Sequence, residues 1–230
     1  MAFNYSPKIV TDGLVLYLDA ANSKSYVSGS ITWNDISRSG INGTLTNGPV
    51  FNSGSGGNIT FDGNNDYIDL SSATSLWTSN FTINFYIKSN VLGNQFIFSN
   101  GSYGSAATNI WFDGGGLNNF AVHLRRTDGT GAIGYNFTLP TSYNALGYYS
   151  VVYNTGDNTL KLYQNSNLVE NKSTSLVDPS WMPNGWRLGN SSGWSSVSGS
   201  IYNFSIYNRA LTAQEVLQNY NATKTRFGLT

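Results

Sequence analysis

The sequence predicts an all-β protein, a sandwich or barrel of short antiparallel strands, with one short helix near the C-terminus. Three observations predict it. Apolar and polar residues alternate with period two along most of the chain. Clusters of Gly, Asn, Asp and Ser interrupt that alternation at roughly 8–12-residue spacing. A single helix-start signal, Thr212-Ala-Gln-Glu215, stands after the last alternating run.

The first strand is GLVLYLD (13–19). The clearest is FTINFYIK (81–88), where Phe81, Ile83, Phe85 and Ile87 share one face and Thr82, Asn84, Tyr86 and Lys88 the other. QFIFS (95–99), FAVHL (120–124), YYSVVY (148–153), TLKLYQ (159–164) and IYNFSIY (201–207) follow. In FAVHL, Val122 and Leu124 share one face and His123 shares the other with Ala121. GNND (63–66), TGDN (155–158), QNSN (164–167) and NSSG (190–193) supply turn chemistry, because Asn and Asp bond their own backbone and Gly tolerates positive φ. At 212–221 the Thr hydroxyl accepts the amide of Glu215 and the Glu carboxylate reaches back, while Leu211 and Val216 hold the staple positions. The expected organisation is an arm over 1–12, one domain over 13–221 and a tail over 222–230.

Composition narrows the function. Charged residues are 10% of the 230, against about 25% in an ordinary soluble chain, and the net charge is zero. Nucleic-acid binding by counterion release needs clustered Lys and Arg, so it is excluded from the expectations. The absence of cysteine removes disulfides, thiolate zinc sites and cysteine nucleophiles. One histidine, His123, cannot build a multi-histidine metal site. No apolar run approaches 18 residues and MAFNYSPKIV carries no apolar leader core, so neither membrane insertion nor a cleaved export signal is expected.

Seven segments, in order, are similar to the LamG-like jelly rolls of the concanavalin A-like lectin/glucanase superfamily. They are GLVLYLDA (13–20), WNDISRSGINGTL (33–45), ITFDGNNDYIDL (59–70), FTINFYIK (81–88), NTLKLYQNSNLV (158–169), WRLGN (186–190) and GSIYNFSIYNRALTAQEV (199–216). The resemblance implies a two-sheet antiparallel jelly-roll sandwich. It also implies a structural role for Arg209 in YNRAL, its stem covering the core edge and its guanidinium bonding loop carbonyls. Where the family's hairpin carries Asn-Gly, this chain has Asn165-Ser166. A serine at positive φ is strained, so a longer loop is expected there.

The superfamily includes hydrolases whose paired carboxylates come from a Glu-x-Asp-x-Glu strand. This chain has two glutamates, Glu170 and Glu215, the second explained by its cap. Asp66 and Asp69 differ by an odd spacing and face opposite sides of a strand, so no catalytic pair is expected. Many members bind calcium. Asp62, Asn64 and Asp66 have the spacing of a calcium loop without its distal glutamate, and Asp19 with Asn203 is a second set on the first and last strands. The glycan-binding candidates are Trp181 and Trp194 in the loop-rich WMPNGWRLGNSSGW, Trp111 in IWFDGGG, Tyr103 in SNGSYGSA, and Asn190. Indole and phenol rings match the apolar faces of sugars, and amides match their hydroxyls. Trp186 and Trp33 are expected in the core.

LamG-like domains recur in phage structural proteins. The expected function is therefore a non-catalytic exterior structural or adhesion protein, a virion decoration or fibre component that binds glycans weakly and multivalently. The alternative is a stand-alone carbohydrate-binding module, with a polysaccharide-degrading enzyme third. Expected partners are other virion or cell-surface proteins and glycans, the expected location is a virion or extracellular surface, and self-association is left open.

Overall fold

The computed structural model describes residues 8–71, 80–101, 107–116, 118–128, 130–175, 177, 185–191 and 195–229. Within them sixteen strands, numbered in chain order, form two antiparallel sheets of eight. The first sheet runs β14 (Asn167–Ser173), β13 (Thr159–Gln164), β12 (Gly147–Asn154), β7 (Phe81–Ser89), β16 (Ser198–Tyr207), β5 (Asn58–Asp62), β4 (Val50–Asn52), and β1 (Leu14–Asp19) also pairs β16. The second runs β11 (Ala132–Thr138), β10 (Asn119–Arg125), β9 (Asn109–Phe112), β8 (Gln95–Ser99), β15 (Arg187–Leu188), β6 (Tyr67–Asp69), β3 (Gly43–Thr46), β2 (Thr32–Trp33). This is the two-sheet sandwich the sequence predicts.

The inner faces make one core. Phe81, Ile83, Phe85 and Ile87 of β7 enter it, as the alternation requires, with Phe98, Phe120, Tyr149 and Phe204 from facing and neighbouring strands. Trp186 lies flat on Phe98, centroids 4.5 Å apart, and Trp33 is fully buried. The sequence read Thr82, Asn84 and Tyr86 as an outer face, yet these are buried too. A helix, α1 (Ala213–Thr223), and a 3₁₀ turn (Lys224–Phe227) cover that side of the first sheet. Val216, Tyr220 and Phe227 pack there against Tyr86, Tyr148, Tyr202 and Tyr207. The helix thus runs two residues past the expected 221, and Phe227, expected in the tail, is buried.

Of the four register shifts in the described strands, two redirect large side chains between the faces. One, at Tyr202 of β16, lets Ile201, Phe204 and Ile206 all enter the core while Tyr202 turns to the helix side. The other, at Ile97 of β8, sends Ile97 and Phe98 inward and leaves Phe96 on the opposite face. The β13–β14 hairpin also departs from expectation. Gln164 pairs with Asn167, so the turn has two residues, and Asn165 and Ser166 sit at φ of 49° and 66°. A two-residue turn with two positive φ values matches the twist of its strands, which outweighs the strain at the serine. Asn165 is pinned to β12: its Oδ1 accepts the amide of Tyr148 at 3.0 Å, and its amide donates to the Tyr148 carbonyl at 2.8 Å.

The helix start has the expected geometry. Thr212 Oγ1 accepts from the amide of Glu215 at 3.3 Å, and Glu215 Oε2 accepts from the amide of Thr212 at 2.9 Å. Arg209 clamps this corner, at 2.6 Å from Glu215 Oε1 and 2.8 Å from Asp12 Oδ2, and its Nε donates to the Asp12 carbonyl at 3.1 Å. The Arg209 guanidinium, with the Thr212 bonds, holds the Glu215 carboxyl at about 2, below its ordinary 4.5. A carboxyl depressed in the folded state stabilises above its unfolded value, and loses that contribution as pH falls towards the folded one. The thermal midpoint is expected to fall between about pH 5 and pH 3, and Glu215→Gln to flatten part of that fall. Scanning calorimetry of both proteins at both pH values checks this; equal slopes would contradict it.

Candidate functional site

Helix and 3₁₀ turn occupy the outer side of the first sheet. Among the described residues no helix covers the outer side of the second, and a cleft of about 190 Å³ opens there. Its lining is Asn94, Phe96, Trp111, Asp113, His123, Gly134 and Asn136.

Strand register assembles it. Phe96 faces Trp111, Trp111 faces Ala121, and Ala121 faces Asn136, one row across β8, β9, β10 and β11. His123 faces Gly134 in the next row. Phe96, Trp111 and Ala121 form a small apolar cluster separate from the main core. Trp111 stacks on Phe96 at 5.4 Å and meets the His123 ring edge-on at 4.4 Å. Ala121, fully buried, stands between Trp111 and Asn136 in that row. Gly134 admits His123: a Cβ there would stand 2.6 Å from His123 Nε2. Burial lowers the His123 pKa, so its imidazole is neutral at pH 7.

The rim is polar. Asn94 Oδ1 accepts from the Gly114 amide at 2.7 Å, leaving Nδ2 as a donor. Asp113 and Asn136 make no side-chain hydrogen bond or ion pair with the described residues, and Asn136 is exposed. The cleft thus offers an apolar wall, a neutral imidazole, a free carboxylate and two amides. Such a set can bind a small hydroxylated ligand.

Of the sequence candidates, the structure places Trp111 in this cleft, as its wall and floor at 5% exposure. His123, read as a sheet-face residue, stands beside it. Asn94, Phe96, Asp113 and Asn136 were not singled out from the sequence. Asn190 lies elsewhere: its Nδ2 donates to Ser196 Oγ at 2.6 Å, and its carbonyl accepts from Ser99 Oγ at 2.6 Å. Ser196 Oγ in turn donates to the Asn64 carbonyl, so Asn190 ties a turn to the sheet. Trp181, Trp194 and Tyr103 lie outside the described residues. Ser191 and Gly101, described residues near Trp194 and Tyr103 in sequence, meet through a 2.8 Å bond from Ser191 Oγ to the Gly101 carbonyl.

The two calcium sets are occupied by internal bonds. Asp66 Oδ2 accepts the Asp62 amide at 3.0 Å, and Asp62 Oδ1 accepts the Asn64 amide at 2.8 Å. Asp66 is buried, which raises its carboxyl pKa. Asp19 pairs in register with Asn203, but its Oδ2 lies 2.8 Å from Arg226 Nη1, so a guanidinium already balances that carboxylate. Among the described residues no three Asp, Glu, His or Cys side chains come together to hold a metal.

A family model described as the concanavalin A-like lectin/glucanases superfamily, Laminin_G_3, matches residues 62–217. The chain belongs to that superfamily. No curated protein is a significant match to this Laminin_G_3 chain. Among solved structures it resembles the CBM40 of the Ruminococcus gnavus IT-sialidase bound to α2,3-sialyllactose, with TM-score 0.59 and 19% identity over 70% of this chain and 94% of that one. It also resembles the Trypanosoma rangeli sialidase in complex with the inhibitor DANA, with TM-score 0.66 and 13% identity over 95% of this chain and 34% of that one. A third likeness is the binding domain of botulinum neurotoxin DC in complex with rat synaptotagmin II, with TM-score 0.65, 14% identity, and 93% and 52% coverage. The Laminin_G_3 chain thus spans about a third of the sialidase and half of the toxin domain. At these identities the likeness is one of fold.

Proposed function

We propose that this chain is a non-catalytic glycan-binding domain that works outside a cell, with display on a virion as its setting. The observation that carries the proposal is the open cleft on the second sheet, where Trp111, Phe96 and His123 back a rim of Asn94, Asp113 and Asn136. Hydroxyls both donate and accept, and this rim offers amide donors beside a carboxylate acceptor. The CBM40 likeness, to a module solved with sialyllactose, supports the same reading.

The carboxylate arrangement favours binding over hydrolysis. Retaining hydrolysis takes two carboxyl groups about 5–5.5 Å apart. Asp113 is the one carboxylate among the described residues of the cleft lining. Asp66 is buried against the Asp62 amide, and Asp69 Oδ1 accepts the Ser71 amide at 2.8 Å. Exterior display draws its support from composition: low charge, no cysteine and abundant Asn, Ser and Gly. Copies on one particle would add avidity to a weak single site.

A glycan-array screen of the purified chain, with calcium and with EDTA, tests the proposal. Binding that survives EDTA and weakens in Asp113→Ala is the expected result. Binding abolished by EDTA would move the site to a metal, and no binding at all would favour a purely structural decoration.

A further inference from the structure

We infer that the cleft selects a neutral sugar ring and rejects a sialylated terminus. The inference rests on the glycan-binding reading and names the ligand class of that same site. Its first ground is charge. Asp113 is the one charged side chain among the described lining residues, and none of them is Lys or Arg. Arg125, two residues beyond His123 on β10, is not among the lining residues and already has a partner. A sialic-acid carboxylate entering here meets the Asp113 carboxylate with no cation between them. Two groups that can only accept hydrogen bonds cannot satisfy each other, and like charges brought together disfavour the wrong partner.

The second ground is hydrogen-bonding capacity. The Asp113 carboxylate accepts from two adjacent hydroxyls, while Asn94 Nδ2 and the Asn136 amide donate to ring or hydroxyl oxygens. A neutral hexopyranose carries such vicinal hydroxyls around its ring. The His123 imidazole, kept neutral by burial, brings no positive charge to the cleft. The third ground is size. At about 190 Å³ the cleft is below the roughly 300–1,000 Å³ of sites that enclose drug-sized ligands, which suits a single sugar ring. The solved CBM40 relative binds sialyllactose, so fold alone does not settle the ligand, and these side chains decide it.

The test uses matched glycans: terminal galactosides and their α2,3- and α2,6-sialylated counterparts, titrated calorimetrically into the full chain. The neutral member of each pair is expected to bind at least about tenfold more tightly. Asp113→Asn keeps the shape and removes the charge, so it should weaken the neutral glycan and narrow the ratio within each pair. Its thermal midpoint, measured alongside, reports that the fold is intact. Sialylated glycans binding equally or better, or a ratio unmoved by Asp113→Asn, would overturn the inference while leaving glycan binding in place. Binding to neither class would sink both.

Discussion

Phe85→Ala is expected to remove about 3–5 kcal/mol of stability, the cost of deleting a fully buried phenyl ring and leaving a cavity. Phe85 lies at the meeting of both sheets. Its ring is 5.5 Å from Tyr149 and 6.5 Å from Phe204 within the first sheet, and 6.5 Å from Phe120 of the second. Phe120 and Tyr149 are themselves stacked at 5.8 Å, so the ring closes an aromatic layer through the sandwich. Domains of this kind are stable by about 5–15 kcal/mol, so the variant loses a large fraction of the total. Urea denaturation followed by Trp fluorescence measures the loss. A change below about 1 kcal/mol would mean the layer is not close-packed.

The second large effect concerns binding. Asp113→Ala is expected to weaken glycan affinity about tenfold to a hundredfold, the equivalent of a charge-assisted hydrogen bond of about 1.5–3 kcal/mol. Its stability should stay within about 0.5 kcal/mol of the parent, because the carboxylate has no bond to the described residues and is partly exposed. Asn136→Ala should behave in the same way with a smaller loss, since a neutral amide replaces the charge. Trp111→Ala is a poorer probe. With Trp111 packed on Phe96 and His123, its removal disturbs the wall and the fold together. Calorimetric titration beside a thermal melt separates the two quantities. Unchanged affinity in Asp113→Ala would exclude the cleft.

Much of the fold was legible because its signals are local. The β7 alternation, the Thr212–Glu215 capping box and the turn residues each act within a few positions. What was hidden depends on distant parts of the chain. The outer face of β7 looks solvent-facing until α1, more than a hundred residues later, lies over Tyr86. Plain alternation in QFIFS puts Phe96 and Phe98 together, and only the bulge at Ile97 separates them. The ion pair of Asp19 with Arg226 joins residues 207 apart, so nothing local reveals it. The cleft was half visible for the same reason. Trp111 stood out by residue type and His123 by its place on FAVHL. Asn94, Asp113 and Asn136 are ordinary loop and strand residues until the register across four strands aligns them. Gly134 was the missed signal, a glycine inside a strand that marks a close approach, here by the His123 ring.

The most direct test is chemical-shift mapping of the isotope-labelled chain, titrated with the tightest glycan from the array. Perturbations are expected at the Trp111 indole, the His123 ring, the Asn94 and Asn136 amides and the backbone of Asp113. Shifts centred on the Asp62–Asp66 turn or on the helix-covered sheet, with the cleft unmoved, would contradict a binding site on the open face.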